Sequence, residues 1–338
     1  MRNRRLSVIG LLAGFVAMHF ATVAAQQPDE ALAQESRRDL EQADPFMGDW
    51  QGYFRQRNRK TSAPLVAQVV ALGKGRYHAT LLPAFDQRTM PVASLEGQRD
   101  GDFVRFFGWG DVSSYCGPDW EGVIEGDRFR GSVPAREGGT FELEKVVRVS
   151  PTLGAQPPAG AVVLFDGSNL DAWEKRQRLL SAPAAWKIEN SAMEVTRGGG
   201  SIQTRQKFEN YRLHVEFRTP LMAEAREQSR ANSGVYCHNT EVQVLDTYGL
   251  AGRSLECGGI YHRRDPLVNM CRPPRQWQTY DITVETPEGA NSVMTVAHNG
   301  VVIHERLDLG RRVQPTSILL QDHGNAVQYR NIWLVERR

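Results

Sequence analysis

Apolar and polar residues alternate in short runs along most of the chain, which is the pattern of β-strands with one buried and one exposed face. Such runs fill residues 46–149, separated by turn signals such as Gly73-Lys74-Gly75. A second series fills residues 161–338 and includes the hairpin signal Asn299-Gly300. No long helical period interrupts either series, so the pattern predicts two β-rich domains.

The two series predict different shapes. Residues 46–149 predict an antiparallel meander that closes as a small barrel or sandwich, without a catalytic cluster of its own. Residues 150–160 are rich in proline and glycine and predict a linker. Residues 161–338 contain about a dozen strand patterns and predict a jelly-roll β-sandwich of two packed sheets. The predicted fold class is all-β, with a polar lead segment at residues 26–45.

The first residues carry the pattern of a secretory signal. Arg2, Arg4 and Arg5 precede an apolar run that ends in small residues before Ala25. The apolar run is too short and too mixed to favour a membrane span. We therefore expect residues 1–25 to be removed, leaving an exported protein, periplasmic or extracellular, without membrane attachment.

Charge excludes some classes of partner. The chain has 41 Lys and Arg against 39 Asp and Glu, which gives a formal net charge of +2. Loss of residues 1–25 removes three arginines and no acidic residue, so the charge becomes −1. No block of basic residues stands out elsewhere, which argues against nucleic acid or an anionic membrane as a partner. The sequence leaves the oligomeric state open.

Four cysteines, Cys116, Cys237, Cys257 and Cys271, lie in the predicted mature chain. Export permits disulfides, and four cysteines allow three pairings. Cys257 and Cys271 bracket a loop with paired glycines and prolines, which favours a disulfide between them. Zinc is the alternative, but no Cys-x-x-Cys spacing is present.

The stretch at residues 232–249 is the strongest candidate for chemistry. It predicts two short strands joined by a polar turn at residues 238–240. In the second strand Glu241 and Gln243 share one face, about 7 Å apart, and the valines beside them face a core. Asp246 follows at the strand end. The alternative interpretation of these polar residues is a solvated strand face.

Motifs of a known family run in order through the second domain. They include Leu164-Phe-Asp-Gly-Ser-Asn-Leu-Asp-Ala-Trp173, Tyr211-Arg-Leu-His-Val-Glu-Phe-Arg218, Asn232-Ser-Gly-Val-Tyr236, Glu241-Val-Gln-Val-Leu-Asp246, Trp277-Gln-Thr-Tyr-Asp281, Leu320-Gln-Asp-His-Gly324 and Tyr329-Arg-Asn-Ile-Trp333. The ordered set resembles the 3-keto-disaccharide hydrolase family, whose members have a concanavalin A-like jelly roll. The resemblance covers residues 161–338 and leaves the N-terminal domain out.

The resemblance implies action on glycosides already oxidised to a ketone at C3 of the sugar. Such a ketone acidifies the C2 proton, so a general base can remove it and the resulting enolate can expel the C1 substituent. Water then adds to the unsaturated sugar, and the net result is hydrolysis. The ketone oxygen needs an electrophile, for which several relatives use a divalent metal ion.

This chemistry assigns expected roles to the candidate residues. Glu241 and Asp246 are expected at the centre of the site, as base or metal ligands. His323 is the candidate acid or metal ligand, because an ordinary histidine pKa of about 6.5 suits proton transfer. Gln243 is expected to hydrogen-bond a sugar hydroxyl or a metal-bound water. Further candidates for sugar contact are Asn232, Tyr236, Tyr248, Tyr261, Trp277 and Asp322, with His238 and His262 as possible histidines of the same mouth.

Alternative interpretations remain open for several of these residues. Asp322 and His323 also fit a turn in which side chains bond backbone groups. The acidic strand is similar to that of laminarinase-like glycosidases, Glu-x-Asp-x-x-Glu, but here the middle acid is Gln243 and the last is the shorter Asp246. Retaining glycosidases need two carboxylates about 5–5.5 Å apart. Jelly rolls also serve as carbohydrate-binding modules without catalysis. The sequence favours an enzyme acting on 3-keto-glycosides over both.

Overall fold

A computed structural model describes residues 30–110, 119–134, 138–177 and 182–337. The predicted signal at residues 1–25 and Cys116 lie outside these ranges. Within them, the polar lead segment forms one α-helix, α1 (Glu30–Ala43), and nearly everything else of regular structure is strand. The all-β prediction is therefore confirmed. No helix in the described ranges is long and apolar enough to cross a membrane.

The first domain is a closed antiparallel barrel. Its strands are β1 (Gly48–Gln56), β2 (Ser62–Gly73), β3 (Arg76–Leu82), β4 (Ala93–Asp100), β5 (Phe103–Gly110), β6 (Asp119–Glu125), β7 (Arg128–Val133) and β8 (Gly139–Val146). Each strand pairs with the next, and β1 pairs with β8, so no edge strand is left open. Aromatic rings fill the interior, with Phe129 lying 6.0 Å from Trp50 and 5.0 Å from Phe106 between ring centroids.

The second domain is a sandwich of two sheets. Its strands are β9 (Val162–Phe165), β10 (Trp173–Lys175), β11 (Ala182–Pro183), β12 (Lys187–Glu189), β13 (Ala192–Glu194), β14 (Ile202–Thr204), β15 (Tyr211–Arg218), β16 (Ser233–Cys237), β17 (Thr240–Val244), β18 (Gln278–Glu285), β19 (Val293–His298), β20 (Val301–Asp308), β21 (Leu319–Leu320) and β22 (Gln328–Glu336). One sheet has the order β11-β10-β14-β21-β16-β17. The other has the order β12-β13-β22-β15-β18-β19-β20, with β9 also paired to β22. Their facing sides bury residues such as Phe217, Val242 and Tyr280.

A buried polar network joins the barrel to the sandwich. Asp49 on β1 is 2% exposed and accepts hydrogen bonds from the Tyr248 hydroxyl (2.7 Å) and from Arg148 Nε (2.8 Å). Tyr248 belongs to the sandwich and lies four residues beyond the end of the strand that carries Glu241. Because a buried carboxylate is costly unless it is paired, these contacts fix how the two domains meet.

The barrel also supports the connection between β15 and β16. Leu221 and Ala223 of this connection pack against the barrel core. Arg226 donates to the Leu72 carbonyl (3.3 Å) at the end of β2. The connection contains a short 3-10 turn, Glu227–Ser229, which the barrel thereby holds over the strands of the six-stranded sheet.

Replacing Tyr248 by Phe is expected to lower the free energy of unfolding by about 1–3 kcal/mol, because a buried oxygen of Asp49 loses its donor. Urea denaturation followed by circular dichroism measures the change. Tyr53→Phe is the matched control, since Tyr53 is 61% exposed on the barrel surface and should change the value by less than about 0.5 kcal/mol. Equal effects of the two substitutions would contradict the role given to Tyr248.

Candidate functional site

The hairpin formed by β16 and β17 places the central side chains. Its turn consists of His238 (φ 50°) and Asn239 (φ 61°), and two left-handed residues in succession are typical of a tight hairpin turn. The resulting register pairs Tyr236 with Glu241 and Gly234 with Gln243. Residues paired in this way project to the same face of a sheet.

A further segment extends this face beyond β17. Ile260 pairs with Val242, and the Tyr261 amide donates to the Glu241 carbonyl (3.3 Å). Tyr261 therefore lies beside Glu241 on the side opposite Tyr236. His262 follows in the left-handed conformation (φ 56°), with its ring centroid 4.5 Å from that of Tyr261.

Glu241 is a half-buried carboxylate with polar neighbours on each side. Burial raises the pKa of Glu241 above its ordinary value. The Tyr236 hydroxyl donates a hydrogen bond to the carboxylate and acts in the opposite direction, as do His323 and His262 through their charges when protonated. The structure therefore places Glu241 in contact with Tyr236 and within electrostatic reach of His323 and His262.

The Tyr236 hydroxyl links Glu241 to the opposite wall of the site. Gln321 Nε2 donates to the Tyr236 oxygen (3.1 Å), and the Tyr236 hydroxyl donates to Glu241. Burial, followed by the Glu241 carboxylate, raises the pKa of Tyr236, so this phenol stays neutral and remains a donor. Sequence reasoning missed Gln321, although it stands in the quoted motif directly before Asp322.

Gly234 gives the Glu241 carboxylate its space. A Cβ atom at position 234 would lie 2.4 Å from Glu241 Oε1 and 3.2 Å from Glu241 Cγ. The Glu241 carboxylate therefore occupies the space beside β16 that a side chain at position 234 would fill. This requirement also escaped sequence reasoning, because Asn-Ser-Gly is ordinary turn chemistry when read alone.

Asp322 shapes the loop that carries His323. Its Oδ1 accepts the Gly324 amide (2.8 Å), and its Oδ2 accepts the Gly200 amide (2.8 Å) from the loop before β14. The Asp322 amide in turn donates to the Ser201 hydroxyl (3.1 Å). Asp322 thus makes the turn that the sequence offered as an alternative, and this turn carries His323, whose charge acts on the pKa of Glu241.

Gln243 and Asn232 lie on the face of Glu241 but are covered by chain. They are 1% and 2% exposed, respectively. Gln243 Nε2 and Asn232 Nδ2 both donate to Gln228 Oε1, each at 3.0 Å. Gln228 stands on the 3-10 turn that the barrel supports. Gln228 therefore covers the side-chain amides of Gln243 and Asn232, and the sequence near these residues does not predict this contact.

Asp246 does not join Glu241. It is 2% exposed and forms an ion pair with Arg230, with 2.7 Å between Oδ2 and Nε. Burial raises the pKa of Asp246, and the Arg230 charge acts against that rise. Arg230 continues to the barrel, where Nη2 donates to the Ala71 carbonyl (3.5 Å). Asp246 is therefore paired at the domain junction and does not lie beside Glu241.

Three more candidates lie away from the site. Tyr248 binds Asp49 of the barrel, as described above. Trp277 is 4% exposed between two guanidinium groups, those of Arg218 and Arg330, at 4.7 and 4.1 Å from its ring centre. His238 is buried, bonded to the Glu209 carbonyl (2.8 Å) and to the Thr316 hydroxyl (3.0 Å). Burial lowers the pKa of His238, so it is a neutral structural residue of the hairpin turn.

The predicted disulfide between Cys257 and Cys271 is not formed in this structure. Both residues, like Cys237, are buried free thiols. Cys257 Sγ lies 3.3 Å from the Tyr280 hydroxyl, and Cys271 Sγ faces the carbonyl oxygens of Leu245 (3.6 Å) and Arg272 (3.5 Å). The two thiols also interact with each other through a side-chain hydrogen bond, although no covalent link joins them.

The donor set does not fit a resident metal ion. Within the described ranges, no group of three or more His, Cys, Asp or Glu side chains could hold one. The predicted ligands Glu241 and His323 are two donors, whereas protein sites for such ions commonly supply three or more.

Comparison with known proteins gives the family. Residues 160–335 match the model of the 3-keto-alpha-glucoside-1,2-lyase-like domain, which covers more than half of the chain. The chain belongs to this family, and at that level it is a carbohydrate-active enzyme. The resemblance inferred from the sequence motifs is confirmed.

Two solved structures are similar to the second domain. Both are described as putative glycosyl hydrolases from Parabacteroides distasonis ATCC 8503. The first is 33% identical, with a TM-score of 0.46, over 53% of this chain and 85% of that one. The second is 16% identical, with a TM-score of 0.41, over 53% of this chain and 95% of that one. Among curated proteins, none matches the chain.

Substitutions of Asp246 and Glu241 are expected to affect stability differently. Asp246→Asn leaves Arg230, 7% exposed, without its counter-charge, so the free energy of unfolding should fall by about 3–5 kcal/mol. The folded pKa of Glu241 is raised, so its ionised form costs stability above that pKa, and Glu241→Gln should be no less stable than the wild type at pH 7. Urea denaturation at pH 7 measures both, and a larger loss for Glu241→Gln would refute this division of roles.

Proposed function

We propose that the chain cleaves 3-keto-glycosides at this site by removing the C2 proton, expelling the C1 substituent and adding water. The observation that carries the proposal is Glu241, a half-buried carboxylate of raised pKa that receives one phenol hydrogen bond and interacts with two histidines. The description of the matching family names the same substrate class. A carbohydrate is accordingly the proposed partner.

Glu241 is the proposed general base. Its carboxylate takes the C2 proton, and the electron pair of the C–H bond moves to form an enolate with negative charge on the C3 oxygen. A base is most effective when its pKa approaches the working pH, and burial moves Glu241 in that direction.

Tyr236 is the proposed donor to the enolate oxygen. In the structure its hydroxyl donates to the ionised Glu241. When Glu241 gains the C2 proton, that hydrogen bond loses its charged acceptor, and the hydroxyl is free to turn to the new oxyanion. A donor already in place costs little reorganisation during the reaction. Gln321 keeps the phenol oxygen in position throughout.

His323 is the proposed acid. As the enolate collapses, the C1–O bond breaks, a C1–C2 double bond forms and the C3 ketone returns. The departing oxygen takes its proton from protonated His323. Water then adds its oxygen to C1, and a proton returns to C2, so that the net change is hydrolysis.

The placement of Asp246 bears on the rival functions. A retaining glycosidase needs a second carboxylate about 5–5.5 Å from the first. Asp246, the second acid of the strand, is buried against Arg230 and does not flank the site. A binding module would need no raised pKa at Glu241 and no histidine beside it. The arrangement thus favours elimination chemistry over both.

We also propose that the protein works outside the cytoplasm. Arg2, Arg4, Arg5 and the apolar run after them support removal of residues 1–25, which lie outside the described ranges. Cell fractionation followed by N-terminal sequencing tests this: recovery from the cytoplasm alone would refute export, and an intact Met1 on exported protein would refute removal of residues 1–25.

Glu241→Gln is expected to lower kcat on a 3-keto-α-glucoside by about 10²–10⁴-fold while leaving its dissociation constant within a few fold, because the base is lost and the shape is kept. The proposal is tested by measuring product release from the keto-glycoside and from its unoxidised parent, each with and without added chelator. Glu288→Gln, in an exposed loop, is the matched control. Binding without turnover by the wild type would identify a binding module, and equal turnover of the unoxidised parent would identify a conventional glycosidase.

The pH profile should report Glu241. Activity should fall on the acid side as Glu241 is protonated, with a midpoint above the ordinary glutamate value, because burial raises its pKa. Tyr236→Phe removes a hydrogen bond that lowers this pKa, so the midpoint should move to higher pH while kcat on the plateau decreases. Profiles of kcat/KM from pH 4 to 9 measure both. If Tyr236→Phe leaves the midpoint unchanged, the loss of activity at low pH is not caused by protonation of Glu241.

A further inference from the structure

Two large aromatic side chains are exposed next to each other on the outside of the barrel. Phe107 and Trp109 are 61% and 71% exposed, respectively. Both stand on β5, two residues apart, so they project to the same face of the strand with about 7 Å between their Cα atoms. Exposed apolar residues that are scattered singly are normal, whereas adjoining aromatic rings form a patch that indicates a binding surface.

The sandwich does not cover these rings. The barrel meets the sandwich through β2, where Val70 packs against the core of the sandwich, and β5 lies three strands further round the barrel. Trp109 also differs from the other six tryptophans of the sequence, which are at most 4% exposed. The barrel therefore presents to solvent a type of side chain that is buried everywhere else in the chain.

Acidic side chains flank both rings on the neighbouring strands. Phe107 pairs with Glu96 on β4 and with Glu121 on β6, and Trp109 pairs with Asp119 on β6. Directly paired residues project to the same face of a sheet. Each ring is therefore bordered by carboxylates, which accept hydrogen bonds from a ligand that lies on the ring.

The rings also border two shallow depressions of the barrel surface. One depression, of about 230 Å³, is lined by both Phe107 and Trp109. A second, of about 460 Å³, is lined by Phe107 together with Arg105, Arg130 and Ser132. Because Phe107 belongs to both depressions, a ligand longer than one sugar ring can lie across them.

The chemistry of this patch fits a neutral carbohydrate better than a protein. The centre of a protein interface is depleted of charged residues, whereas Glu96, Glu121 and Asp119 stand directly beside the rings. A sugar stacks its apolar C–H face on an aromatic ring, and its hydroxyls hydrogen-bond to polar groups at the ring edge. The guanidinium groups of Arg105 and Arg130 offset the carboxylates, so the surface favours a ligand without net charge.

We propose that Phe107 and Trp109 form a carbohydrate-binding site on the barrel, separate from the site of Glu241, whose ligand is a neutral oligosaccharide chain. Sugar rings stack on the two aromatic side chains, and their hydroxyls donate to the flanking carboxylates. A glycan held on the barrel is kept at a high local concentration near the sandwich of the same chain. The inference depends on the chain being carbohydrate-active and does not depend on the elimination mechanism.

Isothermal titration calorimetry of the full chain tests the site with glucose and with four neutral hexasaccharides, namely cellohexaose, maltohexaose, xylohexaose and mannohexaose. The wild type should bind at least one hexasaccharide more tightly than glucose, because a chain contacts both rings. Phe107→Ala and Trp109→Ala should each raise its dissociation constant on the order of tenfold, and Trp109→Phe, which keeps a ring, should raise it less. Tyr53→Ala is the matched control, since Tyr53 is equally exposed on β1, four strands from β5.

Tryptophan fluorescence locates the bound sugar. Because Trp109 alone among the tryptophans is exposed, acrylamide should quench one accessible class of emission, and Trp109→Phe should abolish that class. A saturating concentration of the hexasaccharide should protect the accessible class in the wild type and in Tyr53→Ala. Quenching that is unchanged by the bound sugar would overturn the proposal.

Failure of the barrel site and failure of the proposed function can be told apart. If no hexasaccharide binds, or if binding survives both Phe107→Ala and Trp109→Ala, the barrel site is refuted, whatever the turnover of 3-keto-glycosides. An equal loss of binding in Tyr53→Ala would refute it as well. If the wild type turns over no 3-keto-glycoside but a hexasaccharide still protects Trp109, the proposed function fails and the barrel site stands.

Discussion

The site depends on one constraint, the register of the hairpin that β16 and β17 form. The two left-handed residues His238 and Asn239 allow a tight turn, and this turn sets Tyr236 directly opposite Glu241. A slip of one residue would send every side chain of the strand to the other face. Tight packing of His238 against backbone and hydroxyl partners protects the turn. The histidine nearest in sequence to Glu241 therefore serves the register, whereas His323, the proposed acid, comes from a distant turn.

The barrel has a structural part in the site although it lies outside the family match. Its strand ends hold the connection that carries Gln228, and Gln228 secures the amides of Gln243 and Asn232. The ion pair of Arg230 and Asp246 is buried along the same path. A buried ion pair contributes little net stability, but separating it leaves an unpaired buried charge at a large cost in free energy. The pair therefore favours the one arrangement of the two domains that keeps it together. The residues that cover Gln243 and Asn232 thus belong to the same network of contacts as the junction between the two domains.

Local pattern predicted the sheets and the face of Glu241, but it could not predict what covers that face. Alternation distinguishes the two sides of a strand, and it also separates Asp246 from Glu241, since an interval of five residues puts them on opposite sides. The prediction for Asp246 overlooked that parity. Gln228, Gly234 and Gln321 reach the site from other strands and turns, and only tertiary structure reveals such contacts. Trp277 and Tyr248 were expected to contact a sugar, because aromatic side chains stack on sugar rings. In the structure Trp277 packs against two guanidinium groups and Tyr248 bonds the Asp49 carboxylate, both away from the site.

Gly234 also has a consequence for how the enzyme can change. The reactive oxygen of Glu241 occupies a volume that exists because one methyl group is missing from the adjacent strand. A methyl group there would push the oxygen away from its phenol neighbour, and catalysis requires reacting atoms in a narrow range of geometry. Any larger side chain at this position must therefore displace the Glu241 carboxylate, so a substitution of Gly234 acts directly on that group.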